Sequence, residues 1–313
     1  MSFAVVFPGQ GSQSVGMLKA LAADEPIVIE TFAAASEVLG YDLWQLCQNG
    51  PEELLGATER TQPAMLAAGV ATWRVWRKHG GPLPAAMSGH SLGEYTALVC
   101  SGALDFAAAI GLVQFRGKAM QAAVPAGQGA MAALLGLDDA AVEAACAEAA
   151  QGEVVQAANY NSPGQVVIAG AAAAVDRAIE IAKSKGAKRA IKLPVSVPSH
   201  SAMMRPAADQ LAARLESTPI AVPQVKDIYT VDVRKHSDAA SIRTALVEQL
   251  VKPVRWSATV QAMVAAGTRV IIECGPGKVL TGLNRRIEKN KEIAMLAIED
   301  SESLRQALQA VGS

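Results

Sequence analysis

The chain has 313 residues, of which 51% are hydrophobic and 18% charged, and its formal net charge at pH 7 is −1. This composition is typical of a folded protein with a large core and excludes a disordered chain. A charge so close to zero gives no overall field that attracts nucleic acid or an anionic membrane, so we expect neither as a partner. No apolar run approaches the roughly 20 residues that a membrane-spanning helix needs.

The N-terminus and the cysteines indicate the cellular setting. Pro8-Gly9 ends the first apolar run and no basic residue precedes that run, so we expect no signal peptide. The four cysteines have no spacing typical of a metal site or a disulfide framework: Cys47, Cys100, Cys146 and Cys274. We therefore predict buried free thiols, no metal, no bound cofactor and a cytoplasmic location.

Apolar runs and helical patterns alternate through the first part of the chain. Phe3 to Phe7 is continuously apolar, which predicts a buried strand of a parallel sheet, and the glycine-rich loop Pro8–Gln13 follows it. Asp105 has the position of an N-cap for a helix that ends at about residue 122. Further predicted helices cover about residues 26–38, 62–79 and 92–101.

The pattern changes near residue 127 to the order strand, helix, strand, strand, helix, strand. The strands are predicted at about residues 130–137, 154–160, 165–169 and 189–197, and the helices at about 138–150 and 173–184. Asn161-Ser162-Pro163-Gly164 supplies the turn between the second and third strands. This order is typical of a ferredoxin-like domain.

Strands and helices alternate again in the last part of the chain. The helices are predicted at about residues 203–215, 239–249 and 258–265, and the strands at about 226–230 and 270–273. Alternation on both sides of the ferredoxin-like segment predicts one large domain made of two chain segments. We therefore predict an α/β fold with a large α/β-hydrolase-like domain (residues 1–126 and 198–313) and an inserted small ferredoxin-like domain (residues 127–197).

The pentapeptide Gly89-His90-Ser91-Leu92-Gly93 carries the strongest chemical signal. Gly-x-Ser-x-Gly before a helical pattern marks a sharp turn that exposes a serine hydroxyl, so we predict that Ser91 is a nucleophile. The alternative is that Ser91 only caps the following helix, and the two roles are compatible. The N–H of Leu92 and one N–H of the loop Pro8–Gln13 would form an oxyanion hole. That loop lacks the Gly-Lys-Ser/Thr ending of a phosphate loop.

A nucleophilic serine needs a base, and the chain offers four histidines. His79 ends a helix and His236 lies in a polar stretch, so we expect both to be exposed. His90 adjoins Ser91, and at a sharp turn its side chain points elsewhere, so we expect it to support the site. His200 follows an extended segment and is the predicted base by elimination.

A series of short motifs occurs along the chain in a fixed order: Phe7-Pro8-Gly9-Gln10-Gly11-Ser12-Gln13, Thr61-Gln62-Pro63-Ala64, Gly89-His90-Ser91-Leu92-Gly93-Glu94-Tyr95, Arg116-Gly117, Asn161-Ser162-Pro163-Gly164-Gln165, Pro198-Ser199-His200, Gln249 and Gly275-Pro276-Gly277-Lys278. In these motifs the chain resembles the bacterial malonyl-CoA:acyl carrier protein transacylases, the stand-alone enzymes of type II fatty acid synthesis. The resemblance extends from residue 1 to residue 288.

The resemblance implies a catalytic role for five matching residues. Ser91 would be the nucleophile and His200 the base. Gln10 and Leu92 would donate the N–H groups of the oxyanion hole. Gln249 would stand where hydrolases place the acid of the triad, and its backbone carbonyl would select the tautomer of His200.

The resemblance also implies that Arg116 pairs with the free carboxylate of the malonyl group and that Gln62 and His90 join it in binding substrate. A guanidinium binds a carboxylate bidentately, which lysine does not do. Arg116 follows Val113 and Phe115 in its helix, an apolar setting for a charge without a partner. The residues alone leave a structural salt bridge at the helix end as the alternative.

The implied reaction is a ping-pong transfer. The malonyl group passes from malonyl-CoA to Ser91 and then to the phosphopantetheine thiol of holo acyl carrier protein, and we expect the enzyme to act as a monomer. The rival functions are the malonyl-transferase subunit of a malonate decarboxylase, a serine thioesterase or esterase, and a silent scaffold. Basic residues would attract an acidic carrier or simply form a solvated face: Lys188, Arg189, Lys192, Arg205, Arg285, Arg286 and Lys289.

Overall fold

The computed structural model describes residues 2–195 and 197–312. Its strands are β1 (Phe3–Phe7), β2 (Ala86–Gly89), β3 (Gly129–Leu135), β4 (Val155–Ser162), β5 (Gln165–Ala171), β6 (Arg189–Lys192), β7 (Asp227–Tyr229), β8 (Val270–Cys274) and β9 (Ala294–Ile298). Its helices are α1 (Lys19–Asp24), α2 (Pro26–Leu39), α3 (Leu43–Asn49), α4 (Glu52–Gly56), α5 (Thr58–Lys78), α6 (Gly93–Cys100), α7 (Phe106–Ala123), α8 (Asp139–Ala150), α9 (Ala172–Ser184), α10 (Arg205–Glu216), α11 (Ala239–Gln249), α12 (Trp256–Ala265), α13 (Val279–Ile287) and α14 (Ser301–Gly312).

Within the described residues, five parallel strands form the larger sheet, in the order β7-β2-β1-β8-β9. β1 and β8 are buried at every position, as is typical of parallel strands that are covered on both faces. β1 is apolar throughout, whereas β8 includes the buried carboxyl of Glu273. Val6 of β1 lies beside Ser88 of β2 and Glu273 of β8. The loops that follow β1, β2 and β8 therefore leave the sheet at the same edge.

The strands β3 to β6 form a separate antiparallel sheet in the order β4-β5-β3-β6. Helices α8 and α9 cover one of its faces with an apolar cluster that includes Leu134, Val142, Ile168 and Val175. The opposite face carries a smaller cluster of Met131, Ala158, Val167 and Ala169. The mixed α/β class predicted from the sequence is confirmed.

Several element ends differ from the predictions. The helix predicted to begin at residue 62 begins at Thr58, because α5 continues through Pro63. The strand predicted over residues 189–197 ends at Lys192, and Ser196 of that range lies outside the described residues. The sequence pattern did not predict β9 and α14, which complete one side of the large sheet.

The chain divides into two compact units. The first comprises Met1–Gly117, Thr218–Ile242 and Thr259–Ser313, and the second comprises Lys118–Ser217 and Arg243–Ala258. The last of these ranges joins the second unit through Val254. Its N–H donates to the carbonyl of Ala158 at 2.8 Å, and its carbonyl accepts from the N–H of Tyr160 at 2.9 Å. The edge strand β4 offers its outer backbone groups to this pairing.

Candidate active site

The serine of the Gly-x-Ser-x-Gly motif lies on a sharp turn between β2 and α6. The turn holds Ser91 in the left-handed region, with φ at 52°, which costs a non-glycine residue on the order of 1–3 kcal/mol. Two glycines permit the turn. A Cβ on Gly89 would lie 1.8 Å from the carbonyl carbon of Gly93, and a Cβ on Gly93 would lie 2.1 Å from the carbonyl oxygen of Phe7. Strain that the surrounding backbone maintains in this way is typical of a functional residue.

The loop that follows β1 lies directly against this turn. A Cβ on Gly9 would lie 2.3 Å from the carbonyl oxygen of His90, and the N–H of His90 donates to the carbonyl of Phe7 at 3.0 Å. The side chain of Gln10 donates to the hydroxyl of Thr58 at 3.4 Å. Gln10 therefore comes directly after Gly9, whose backbone packs against the turn that carries Ser91, and its side chain is hydrogen-bonded to the first residue of α5.

Leu92 is buried and precedes α6 directly. The first N–H groups of a helix have no partner inside it, and the helix dipole adds a positive partial charge at the same end. The positive end of α6 therefore lies next to Ser91 in the chain. This environment suits a developing negative charge.

Arg116 of α7 is the charged group beside the serine. Its side chain is 1% exposed. One terminal nitrogen donates to Oε1 of Gln62 at 2.8 Å, and the other donates to Oγ of Ser91 at 3.4 Å. Burial lowers the pKa of Arg116 from its ordinary value, but a guanidinium stays charged in proteins. The hydroxyl of the predicted nucleophile thus lies next to a buried cation.

Tyr95 is a member of this site that the sequence did not assign. Its ring centroid lies 5.4 Å from the guanidinium carbon of Arg116, within the range of a cation–π interaction. The ring is fully buried, and burial raises the pKa of its hydroxyl to about 12. Its place in the Gly89–Tyr95 motif, two residues into α6 and four after Ser91, was the available signal.

His200 and Gln249 form the second group of candidates. The ring of His200 is buried, and its Nδ1 lies 2.7 Å from the carbonyl oxygen of Gln249. A carbonyl only accepts hydrogen bonds, so Nδ1 carries the proton and Nε2 has the lone pair. Gln249 is the last residue of α11, and the final carbonyls of a helix bond to groups outside it. In the neutral ring, Nε2 is then the nitrogen that can accept a proton.

The structure distributes the predicted site residues between the two units. The first unit holds Gln10, Gln62, His90, Ser91, Leu92 and Arg116, and the second holds His200 and Gln249. Hydrogen bonds connect Arg116 with Gln62 and Ser91 in the first unit, and His200 with Gln249 in the second.

The remaining histidines contact carboxylates. His79 is exposed as predicted, and its Nε2 lies 2.5 Å from Glu25. The prediction that His236 is exposed was wrong, because 14% of its side chain is accessible and its Nε2 lies 3.3 Å from both carboxylate oxygens of Asp232. Neither contact involves a residue of the predicted site.

The cysteine thiols are not alternative nucleophiles. All four are buried and unpaired with one another. Burial raises the pKa of Cys47 and of Cys146 to about 12 and raises the pKa of Cys100 and of Cys274 as well. The reactive form of cysteine is the thiolate, so these groups are unreactive near neutral pH.

The described residues are 2–195 and 197–312. Among them, no group of three or more histidine, cysteine, aspartate or glutamate side chains is arranged to hold a metal ion. No helix of this described part is both long and apolar enough to span a membrane.

Known proteins match this chain over most of its length. The family model described as the acyl transferase domain matches residues 4–302. A malonyl CoA-acyl carrier protein transacylase of Salmonella typhimurium is 59% identical over 285 residues, which cover 91% of this chain and 92% of the relative.

Solved structures superpose on this chain over nearly its whole length. The malonyl CoA-acyl carrier protein transacylase of Coxiella burnetii superposes with a TM-score of 0.96 at 51% identity, covering 99% of this chain and 97% of that one. A malonyl-transacylase in complex with a type II PKS acyl-carrier protein superposes with a TM-score of 0.96 at 54% identity, covering 99% and 100%.

Proposed function

We infer that this chain transfers a malonyl group from coenzyme A to acyl carrier protein, because it belongs to the acyl transferase family. Within that family it belongs to the malonyl CoA-acyl carrier protein transacylases. We propose that the transfer proceeds through a malonyl ester of Ser91. The observation that carries this proposal is the buried guanidinium of Arg116 within hydrogen-bond distance of the Ser91 hydroxyl. Burying a cation beside a nucleophile is costly, and an anionic acyl group offsets that cost.

The first half-reaction forms the ester. Nε2 of His200 takes the proton of Ser91, and Oγ attacks the carbonyl carbon of the malonyl thioester. The N–H groups of Gln10 and Leu92 donate to the oxygen that becomes negative. The carbon–sulfur bond then breaks, and the thiolate of coenzyme A takes the proton from His200. The contact of Nδ1 with Gln249 supports this step, since it leaves Nε2 as the basic atom.

The second half-reaction runs the same steps with a different thiol. The phosphopantetheine thiol of the carrier protein gives its proton to His200, and its sulfur attacks the ester carbon. The bond between that carbon and Oγ breaks, and Ser91 regains a proton from His200. The malonyl thioester of the carrier protein is the product, which we propose supplies fatty acid elongation.

Arg116 selects the acyl group in this proposal. The malonyl carboxylate is one methylene away from the acyl carbon, so it reaches a guanidinium whose nitrogen lies 3.4 Å from Oγ. Gln62 holds the other terminal nitrogen and so limits rotation of the guanidinium. His90 contributes by fixing the turn to β1 through its backbone. An uncharged acetyl group would leave the cation without its carboxylate.

We also propose the finer features of the fold and setting. The larger domain would be α/β-hydrolase-like (residues 1–126 and 198–313), and the segment 127–197 would be a ferredoxin-like insertion, supported by the strand order β4-β5-β3-β6. A monomeric state, the absence of a bound cofactor and a cytoplasmic location stay predictions.

Intact-mass measurement after mixing with malonyl-CoA tests the proposal. The wild-type chain is expected to gain one malonyl group, and holo acyl carrier protein is expected to remove it. Ser91→Ala is expected to gain none, and His200→Ala is expected to gain it far more slowly. Release of free malonate at the rate of ester formation would indicate an esterase instead. Absence of any adduct on the wild-type chain would contradict the ester intermediate.

A further inference from the structure

The side-chain amide of Gln156 holds the backbone on both sides of Ser201, immediately after His200. Its Nε2 donates to the carbonyl of His200 at 3.4 Å, and its Oε1 accepts from the N–H of Ala202 at 3.1 Å. A primary amide is both donor and acceptor, so one side chain makes both bonds. Glutamate has no donor when ionised, and asparagine is one methylene shorter.

The segment that Gln156 holds is strained. His200 has φ at 60°, in the left-handed region that a non-glycine residue occupies only when its surroundings enforce it. Next to it, the hydroxyl of Ser201 donates to the carbonyl of Pro198 at 2.6 Å. Nδ1 of the imidazole is hydrogen-bonded to the backbone carbonyl of Gln249. Gln156 therefore acts on the backbone of His200, while Gln249 acts on its ring.

Strand β4 is the common support of both contacts. Gln156 lies opposite Ala169 of β5, on the sheet face away from α8 and α9. Two and four residues later, the backbone of Ala158 and of Tyr160 bonds with Val254, in the segment that follows Gln249. One strand thus supports the chain on either side of the imidazole contact.

We propose that Gln156 is a positioning residue for His200: its amide fixes the left-handed backbone of the base, so that the ring meets Gln249 in one orientation. The proposal rests on the proposed role of His200 as the base. Losing the orientation slows proton transfer, because misplacement of a catalytic group by about 1 Å costs on the order of a hundredfold in rate. The affinity for malonyl-CoA does not depend on this amide.

The test uses Gln156→Met, which keeps the side-chain length and removes both hydrogen bonds. The matched control is Arg177→Met in the same unit. Its guanidinium donates to the backbone carbonyls of Ala149 and Ala150 at the end of α8 and to the carboxylate of Glu153. Single-turnover formation of the malonyl ester is measured over a range of malonyl-CoA concentrations. Gln156→Met is expected to slow the maximal rate about ten- to a hundredfold with little change in the half-saturating concentration. Arg177→Met is expected to react as the wild type does.

A second measurement separates positioning from a general loss of stability. The imidazole nitrogens of the four histidines are labelled with ¹⁵N, and the resonances of His200 are assigned by their loss in His200→Ala. Gln156→Met is expected to shift or broaden the Nδ1–H resonance of His200 and to leave those of the other three unchanged. An unchanged His200 resonance together with a wild-type rate would overturn the proposal. So would equal slowing in Arg177→Met. If His200→Ala itself forms the ester at the wild-type rate, the proposed function fails and not merely the role of Gln156.

Discussion

Replacing Glu273 by glutamine should remove the loss of folding stability that ionisation of this buried carboxyl causes at neutral and higher pH. Glu273 lies in β8 and has no exposed surface. One carboxylate oxygen accepts from the N–H of Leu280 at 3.0 Å and the other from the N–H of Thr281 at 2.7 Å, both at the start of α13. Burial nevertheless dominates and raises its pKa from the ordinary 4.5 to about 7.

The direction of the effect follows from proton binding in the two states. Below pH 4.5 the carboxyl is protonated in both states, so its titration contributes nothing. Between pH 4.5 and about 7 Glu273 is ionised in the unfolded chain but still protonated in the folded one, so the free energy of unfolding falls as the pH rises. Above pH 7 both states are ionised, and the full cost of about 3 kcal/mol remains, at 1.36 kcal/mol for each unit of pKa.

Urea unfolding of the wild type and of Glu273→Gln, measured at several pH values from 4.5 to 8.5, tests this prediction. The free energy of unfolding of the wild type, relative to that of the variant, is expected to fall by about 3 kcal/mol over this range. High salt is expected to change the result little, since a buried charge is poorly screened. A difference that stays constant with pH, or that grows in favour of the wild type, would refute the reasoning.

Three further changes have defined outcomes. Arg116→Ala is expected to reduce the preference for malonyl-CoA over acetyl-CoA about ten- to a hundredfold, because a charge-assisted hydrogen bond contributes about 1.5–3 kcal/mol. If the variant keeps its selectivity in competition assays, Arg116 does not bind the malonyl carboxylate. Gly93→Ala is expected to lose about 3 kcal/mol or more in denaturant unfolding, since its Cβ would meet a β1 carbonyl oxygen at 2.1 Å. Gly282→Ala, whose Cβ meets nothing within 4 Å, is the matched control and is expected to be neutral or stabilising. The double variant Arg285→Glu and Arg286→Glu, at two exposed positions of α13, is expected to raise the KM for carrier protein without changing the kinetics with coenzyme A. If the variant and the wild type have equal KM values for carrier protein, these arginines do not take part in docking.

Local patterns predicted most of the elements. The strand Phe3–Phe7 was predicted at its observed bounds, because an apolar run that ends at Pro8 needs no distant information. The helix over residues 239–249 was predicted equally well. The start of α5 was misplaced, because proline favours the first turn of a helix while Pro63 lies inside this one. Burial of nearly the whole helix stabilises it enough to keep the proline there.

The site was predictable where its signal is local. Ser91 follows from the spacing of two glycines, since only such a spacing permits the turn between β2 and α6. The partners of Arg116 do not follow in this way. Gln62 lies 54 positions before it, and the contact between the Tyr95 ring and the guanidinium became visible only in the folded chain.

The sequence by itself determined the class of chemistry, because nucleophile, base and cation are side chains with distinct chemical identities. The tertiary structure decided how those groups are oriented. His200 is oriented by the carbonyl of Gln249, 49 positions away, and by the amide of Gln156 on its own backbone. Every residue has a backbone carbonyl, so no residue type marks the one that a ring will meet. Only the paths of β4 and α11 through space select it.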